Sequence, residues 1–194
     1  MADTHSSAAE EEQLITRAQA GDPAAFSSLV RSHQNRIFGF ITYLCGSADE
    51  ATDLTQDVFI KAWQALPDWR PEAKFSTWLT QIARNTTIDA LRRRNTVVFA
   101  SLDEEDENRQ LVETSAGPQD SLINSQDYQQ LLLALDTINP NYREILLLRE
   151  LEGLSYSEIA TILEVSEGTV KSRLARARVA ALTAFKRQTG ESHE

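Results

Sequence analysis

Residues 154–187 constrain the fold more than any other stretch, because they spell two helices joined by a turn too short to hold anything else. Ser155-Tyr156-Ser157-Glu158 has capping-box spacing, in which the serine hydroxyl and a glutamate three positions on satisfy each other's backbone N–H groups. A helix is therefore expected from Ser155, with Ile159, Ala160 and Leu163 on its apolar side. Glu164-Val165-Ser166 interrupts it, and Ser166 can cap a second helix running from Glu167 to about Lys186. Helical periodicity puts Val170, Leu174, Ala177 and Ala181 on one face of that second helix. Gly168, Thr169, Ser172, Ala175 and Arg176 fall opposite, flanked by Lys171, Arg173 and Arg178. Small polar residues and arginines suit a duplex major groove, where guanidinium groups read guanine edges and flanking cations hold phosphates. The cations alone could be a solvated basic helix end. The capped first helix, the three-residue turn and the small-residue face favour a helix-turn-helix that reads DNA with its second helix.

A net charge of −10 over 194 residues, taken as a whole, opposes nucleic-acid binding, but the charge is segregated. Residues 24–95 hold nine bases and seven acids, and residues 166–194 six bases and three acids. Residues 96–127 hold one base and eight acids. The positive segments coincide with the candidate DNA surfaces, and the negative remainder should weaken non-specific binding by the free protein. A lone Cys45 excludes an internal disulfide and a cysteine-cluster metal site, and fits a small core residue in a reducing cytosol. His5, His33 and His193 make no ligand spacing, so neither cofactor nor metal is expected. No apolar run is long enough to span a membrane, and the N-terminus lacks a signal pattern; the expected location is cytoplasmic.

The sequence has no strand pattern, phosphate loop or internal repeat, and the expected fold is all-α: two small helical domains joined by a flexible acidic linker. Residues 1–12 are read as a disordered N-terminus, 13–95 as the first domain, 96–121 as linker, 122–187 as the second domain and 188–194 as a tail. Within the first domain, a short helix Gln13–Ala20 ends at Gly21-Asp22-Pro23, where Asp22 can cap the next helix. That helix carries Phe26, Leu29, Val30, Ile37, Phe38, Ile41 and Leu44 at core spacings. Ser47-Ala48-Asp49-Glu50 opens another, with Leu54, Val58, Phe59 and Ala62 facing inward. Asp53, Gln56, Asp57, Ile60, Lys61 and Gln64 then face outward, a mixed acidic, amide and apolar surface able to dock a protein. Prolines 67 and 71 make Leu66–Phe75 a loop, after which Ser76 can cap a helix holding Trp78, Leu79, Ile82, Ala83 and Ile88 and ending in Arg92-Arg93-Arg94. The loop's aromatics and cations, with Arg84, Asn85 and the basic helix end, suit single-stranded DNA, whose bases stack on rings while cations track phosphates. Trp78 sits in the apolar stripe and is expected in the core, with Trp69 more open. In the second domain Tyr128, Leu131, Leu132 and Leu135 form a stripe, and Asn139-Pro140 leads into a helix Asn141–Glu150 whose Ile145, Leu146 and Leu148 pack on the helix-turn-helix.

Four ordered matches carry a family resemblance over about residues 13–187: 21–26 (GDPAAF), 53–63 (DLTQDVFIKAW), 75–79 with 82–85 (FSTWL and IARN), and 151–160 running on to 168–173. The chain resembles bacterial sigma factors of the extracytoplasmic-function group, in the sigma-70 family. The resemblance implies that the protein binds core RNA polymerase through Asp53, Gln56, Asp57, Ile60 and Lys61 and directs initiation at promoter DNA. It implies that Trp69, Arg70, Lys74, Phe75, Arg84, Asn85 and Arg92 meet the melted minus-ten element, the loop 69–75 capturing a flipped base. It assigns Thr169, Lys171, Ser172, Arg173, Arg176 and Arg178 to the minus-thirty-five element. The acidic linker would thread the RNA-exit path, and an anti-sigma factor, often membrane-anchored, would control the protein, which itself inserts in no membrane. A stand-alone repressor or activator is the chief rival, and it leaves the 53–63 and 69–85 matches without a purpose. An enzyme built on Cys45 or paired carboxylates lacks any neighbouring base, and a pure protein-interaction module leaves the groove-facing arginines idle.

Overall fold

The computed structural model describes residues 3–93 and 133–189, and all the regular structure in them is helical. The linker expected at 96–121, the residues 122–132 that begin the second domain, Arg94 and the end of the tail lie outside the described residues.

Four helices build the first unit: α1 (Asp3–Gln19), α2 (Pro23–Cys45), α3 (Ala48–Ala65) and α4 (Phe75–Arg93), with a 3-10 turn Leu66–Asp68 after α3. Their boundaries follow from local chemistry. Asp22 Oδ1 accepts the Ala24 and Ala25 N–H groups at 2.9 and 3.2 Å, and Pro23 occupies the first turn, where a missing N–H costs nothing. Gly46, at φ 75°, ends α2 by donating its N–H to the Thr42 carbonyl, and Ser47 then caps α3 through the Glu50 N–H. Against expectation, α1 reaches back through most of residues 1–12. Its alanine and glutamate content favours helix, and Glu11 Oε1 lies 2.8 Å from His33 Nε2 on α2. The α2 stripe also differs in one place: Phe40 is fully buried, whereas Phe38 faces outward. α4 starts two residues earlier than a Ser76 cap would place it, at Phe75, with the Lys74 carbonyl accepting the Trp78 N–H, so Ser76 lies inside the helix and does not cap it. Leu29, Ile37, Phe40, Ile41, Val58, Ala62, Leu66, Leu79 and Ala83 form the core.

The second unit comprises a short helical segment at 133–137, α5 (Pro140–Leu146), a π-helical turn Leu147–Leu151, α6 (Tyr156–Leu163) and α7 (Glu167–Thr189). Asn139 caps α5. The single helix expected over 141–150 is instead α5 followed by the π-turn, closed by the Glu152 N–H on the Leu147 carbonyl at 2.9 Å. Five consecutive residues, Glu144 to Leu148, are buried there, which no one-sided helix permits. They are covered because this segment lies between α7 on one side and α2 on the other. The capping box forms as the sequence spelled it: the Ser155 N–H donates to Glu158 Oε2 at 2.8 Å and the Glu158 N–H donates to Ser155 Oγ at 3.3 Å. No helix of the described residues is long and apolar enough to cross a membrane.

Candidate nucleic-acid and protein interfaces

The helix-turn-helix is fixed from within. Glu164 adopts a left-handed conformation (φ 55°) to end α6, and the Val165 N–H reaches back to the Ala160 carbonyl at 3.0 Å. Ser166 Oγ accepts the Thr169 N–H at 3.1 Å and opens α7. Val170, Leu174 and Ala177 are buried, which turns Lys171, Ser172, Ala175 and Arg176 outward and leaves Thr169 and Arg173 half-buried at the edges. Arg178 is different from the other cations. Its Nη2 lies 2.8 Å from Glu150 Oε1 on the π-turn, so it is engaged within the protein.

On α3, Asp53, Gln56, Asp57, Ile60, Lys61 and Gln64 are all exposed, while Leu54, Val58, Phe59 and Ala62 are buried as the period required. Ile60 is 56% exposed and borders an open apolar groove lined by Pro23, Phe26, Ser27, Phe59 and Trp63. The Phe26 and Trp63 rings form one wall, with centroids 4.8 Å apart. Lys61 turns toward α4, donating to Thr86 Oγ1 at 3.0 Å.

The loop between α3 and α4 rests on an aromatic cluster. Trp69 and Trp78 are half-buried against Phe75, which is only 3% exposed and also meets the His33 ring edge-on at 5.4 Å. Phe75 therefore supports the loop from below, where no base can reach it without rearrangement. Gln19 of α1 braces the same loop from the side, its Nε2 donating to the Leu66 and Trp69 carbonyls at 3.2 and 2.9 Å. Arg70, Lys74, Asn85 and Arg92 are exposed.

Arg84 is covered. Its Nε lies 2.6 Å from Glu144 Oε1 of α5, and only 22% of the side chain is exposed. It belongs to a polar seam between the two units that sequence reasoning missed. Arg36 of α2 pairs with Glu152 Oε2 at 2.6 Å, and Thr80 donates to the same oxygen at 2.8 Å. Thr77 donates to Glu158 Oε1 at 2.8 Å. Burial tends to raise the Glu158 pKa, but the Ser155 N–H and hydroxyl, the Thr77 hydroxyl and the Lys74 charge outweigh it and hold the group below its usual range. Glu144 is the signal that could have exposed the seam: an acid directly before the apolar run Ile145–Leu148 needs a partner if it is buried.

Two helical units, one with an exposed helix bearing Lys171, Ser172 and Arg176 and the other with a braced aromatic loop beside an exposed polar and apolar helix face, have the make-up expected of a DNA-binding factor that works with a partner. Comparisons with known proteins make the class specific. The chain matches Sigma-70 region 2 over residues 29–97 and Sigma-70, region 4 over residues 128–180. It is similar to the RNA polymerase sigma-H factor of Pseudomonas aeruginosa, 36% identical over 176 residues, spanning 88% of this chain and 91% of that one. It is 34% identical over 172 residues to the ECF RNA polymerase sigma-E factor of Escherichia coli K12, spanning 86% and 90%. The solved sigma factor RpoE of Bartonella quintana, bound to the anti-sigma factor NepR, has TM-score 0.63 at 25% identity, covering 87% of this chain and 98% of that one. CnrH, bound to the cytosolic domain of CnrY, shares the fold at TM-score 0.65 and 22% identity, covering 91% and 97%. The chain belongs to the extracytoplasmic-function group of the sigma-70 family, the promoter-recognition subunits of transcription initiation.

Proposed function

We propose that α3 docks this protein on core RNA polymerase through Asp53, Gln56, Asp57 and Ile60, with Lys61 at the border, and that residues 13–95 act as the minus-ten unit. In it the loop 69–75 receives a flipped base beside Trp69, while Arg70, Lys74, Asn85 and Arg92 hold the melted strand. Arg84 joins them once it is released from Glu144, and Phe75 acts as the loop's floor. The unit 122–187 reads the minus-thirty-five element through Thr169, Lys171, Ser172, Arg173 and Arg176, with Arg178 positioning the π-turn. The protein works in the cytoplasm without a cofactor or catalytic group of its own, restrained by an anti-sigma factor of the kind that the RpoE relative carries.

The observation that carries this reading is the outward face of α3. An exposed Ile60 beside an apolar groove, flanked by carboxylates, contributes nothing to the fold, and a stand-alone duplex binder has no use for it. Binding of the purified protein to core polymerase tests it. Ile60→Asp and Asp57→Lys, both at exposed positions, are expected to weaken binding at least tenfold, about 1.4 kcal/mol, with an unchanged melting temperature. Wild-type affinity in both variants would remove α3 from the interface.

A further inference from the structure

α1 reaches the loop between α3 and α4 through Gln19. The helix is seated on α2 by the buried Ile15 and Ala18, and Arg17 pairs with Asp22 at 2.6 Å, so the end of α1 is fixed to the start of α2. From that end the half-buried Gln19 spans 47 and 50 positions of sequence. Its Nε2 donates to the Leu66 carbonyl at 3.2 Å and to the Trp69 carbonyl at 2.9 Å. Both acceptors are backbone carbonyls, so the group between them must carry two donor hydrogens, as a carboxamide nitrogen does.

The two carbonyls bracket the 3-10 turn. The Trp69 N–H closes that turn on the Leu66 carbonyl at 3.1 Å, but the positions that follow offer the Trp69 carbonyl little. Pro71 has no N–H, and the Glu72 N–H goes to the Arg70 carbonyl at 2.8 Å. The direction in which the chain leaves Trp69 is therefore set by an amide from another helix. That direction governs how the half-buried Trp69 ring meets Phe75 and Trp78, and where Arg70 begins. Residues 70–74 beyond it are all exposed. A loop pinned at its entry by a rigid helix, with its tip left open, is preorganised for a ligand at modest entropic cost.

We propose that Gln19 is a positioning residue for base recognition: its carboxamide fixes the Leu66 and Trp69 carbonyls and so sets which base the loop 69–75 accepts. This rests on the reading that the loop receives a flipped base of the minus-ten element. Gln19 acts through the loop backbone and not by touching the base.

The test uses the full chain with core RNA polymerase and a promoter library randomised across the downstream element. DNA retained in heparin-resistant complexes is sequenced, which reports the base preference at each position. Gln19→Leu keeps the side-chain size and removes both donors, and Gln19→Asn holds its amide one methylene short of the carbonyls. Gln19→Lys restores donor hydrogens on a longer stem, and Trp69→Ala alters the loop itself. The expected result is that Trp69→Ala, Gln19→Leu and Gln19→Asn flatten the preference at the same downstream position, by roughly tenfold in the Gln19 variants. Gln19→Lys should recover most of it, and preference in the upstream element, read through α7, should not move. A uniform loss over all sequences that tracks a lower melting temperature would make Gln19 a structural contact only and overturn the assignment. Wild-type preference in both Gln19→Leu and Gln19→Asn, beside a flattened position in Trp69→Ala, would overturn it while leaving the loop's role intact. Wild-type preference in Trp69→Ala would instead remove the loop from base recognition, and the assignment with it. If Gln19→Leu does not fold, Gln19→Asn, which keeps a polar group at this half-buried site, decides the question by the same readout.

Discussion

The two candidate DNA surfaces of this protein are in opposite states. On α7, Lys171, Ser172 and Arg176 point into solvent from a helix anchored by Val170, Leu174 and Ala177. On α4, Arg84 is clasped by Glu144, and Thr77 and Thr80 are buried beneath Glu158 and Glu152. In the proposed reading the first surface is open to duplex DNA, whereas Arg84 on the second must first leave Glu144. That order suits initiation, in which duplex contacts can form before any strand is melted.

The largest effects should come from the cores beneath each surface. Phe40→Ala, at a fully buried site, is expected to cost about 3–5 kcal/mol, and Leu174→Ala about 2–5 kcal/mol. Denaturant unfolding of each variant sharpens the contrast. If the seam couples the units, both variants unfold in one transition; two separate transitions would show that the units melt independently.

Next in size is the reading of bases. Arg176→Ala should weaken promoter binding by roughly 1–3 kcal/mol and relax one base position, as selection from a promoter library would report. Arg84→Ala should lower polymerase-dependent initiation, whereas duplex binding by the free protein, made through α7, should change far less than it does in Arg176→Ala. Equal losses from both variants in the free protein would erase the difference between the open and covered surfaces.

Smaller effects follow from the capping box. Ser155→Ala removes the acceptor for the Glu158 N–H and should cost about 1 kcal/mol, measured by thermal unfolding. Glu158 has a folded pKa below its unfolded value, so its carboxylate stabilises the fold fully above the unfolded value of about 4.3. That contribution disappears as pH falls through the lowered folded pKa. Between about pH 5 and about pH 3 the wild type should lose more melting temperature than Glu158→Gln does, and parallel losses would remove Glu158 from the acid response.

Much of this architecture was legible because it is local. Caps at Asp22, Ser47 and Ser155, the inward residues of α3 and the two faces of α7 follow from spacing alone. Three features did not follow. α1 extends through residues that look like a polar tail, since its partner contact, Glu11 with His33, is 22 positions away. The π-turn at Leu147–Leu151 has no sequence signature and arises from burial on several sides at once. The seam depends on contacts such as Thr80 with Glu152, 72 positions apart, which no periodicity can announce. Phe75 illustrates the same limit within the site. An aromatic residue in a basic loop reads as a base-stacking platform, and only the packing of His33, Trp69 and Trp78 around it shows a buried support.

Transcription in vitro from a promoter library, with core RNA polymerase in the presence and absence of this protein, tests the central claim most directly. The account predicts start sites that appear only with the protein and share two elements at fixed spacing, the upstream one altered by Arg176→Ala and the downstream one sensitive to Arg84→Ala. No new initiation, together with sequence-specific duplex binding by the protein alone, would contradict it and leave a stand-alone regulator.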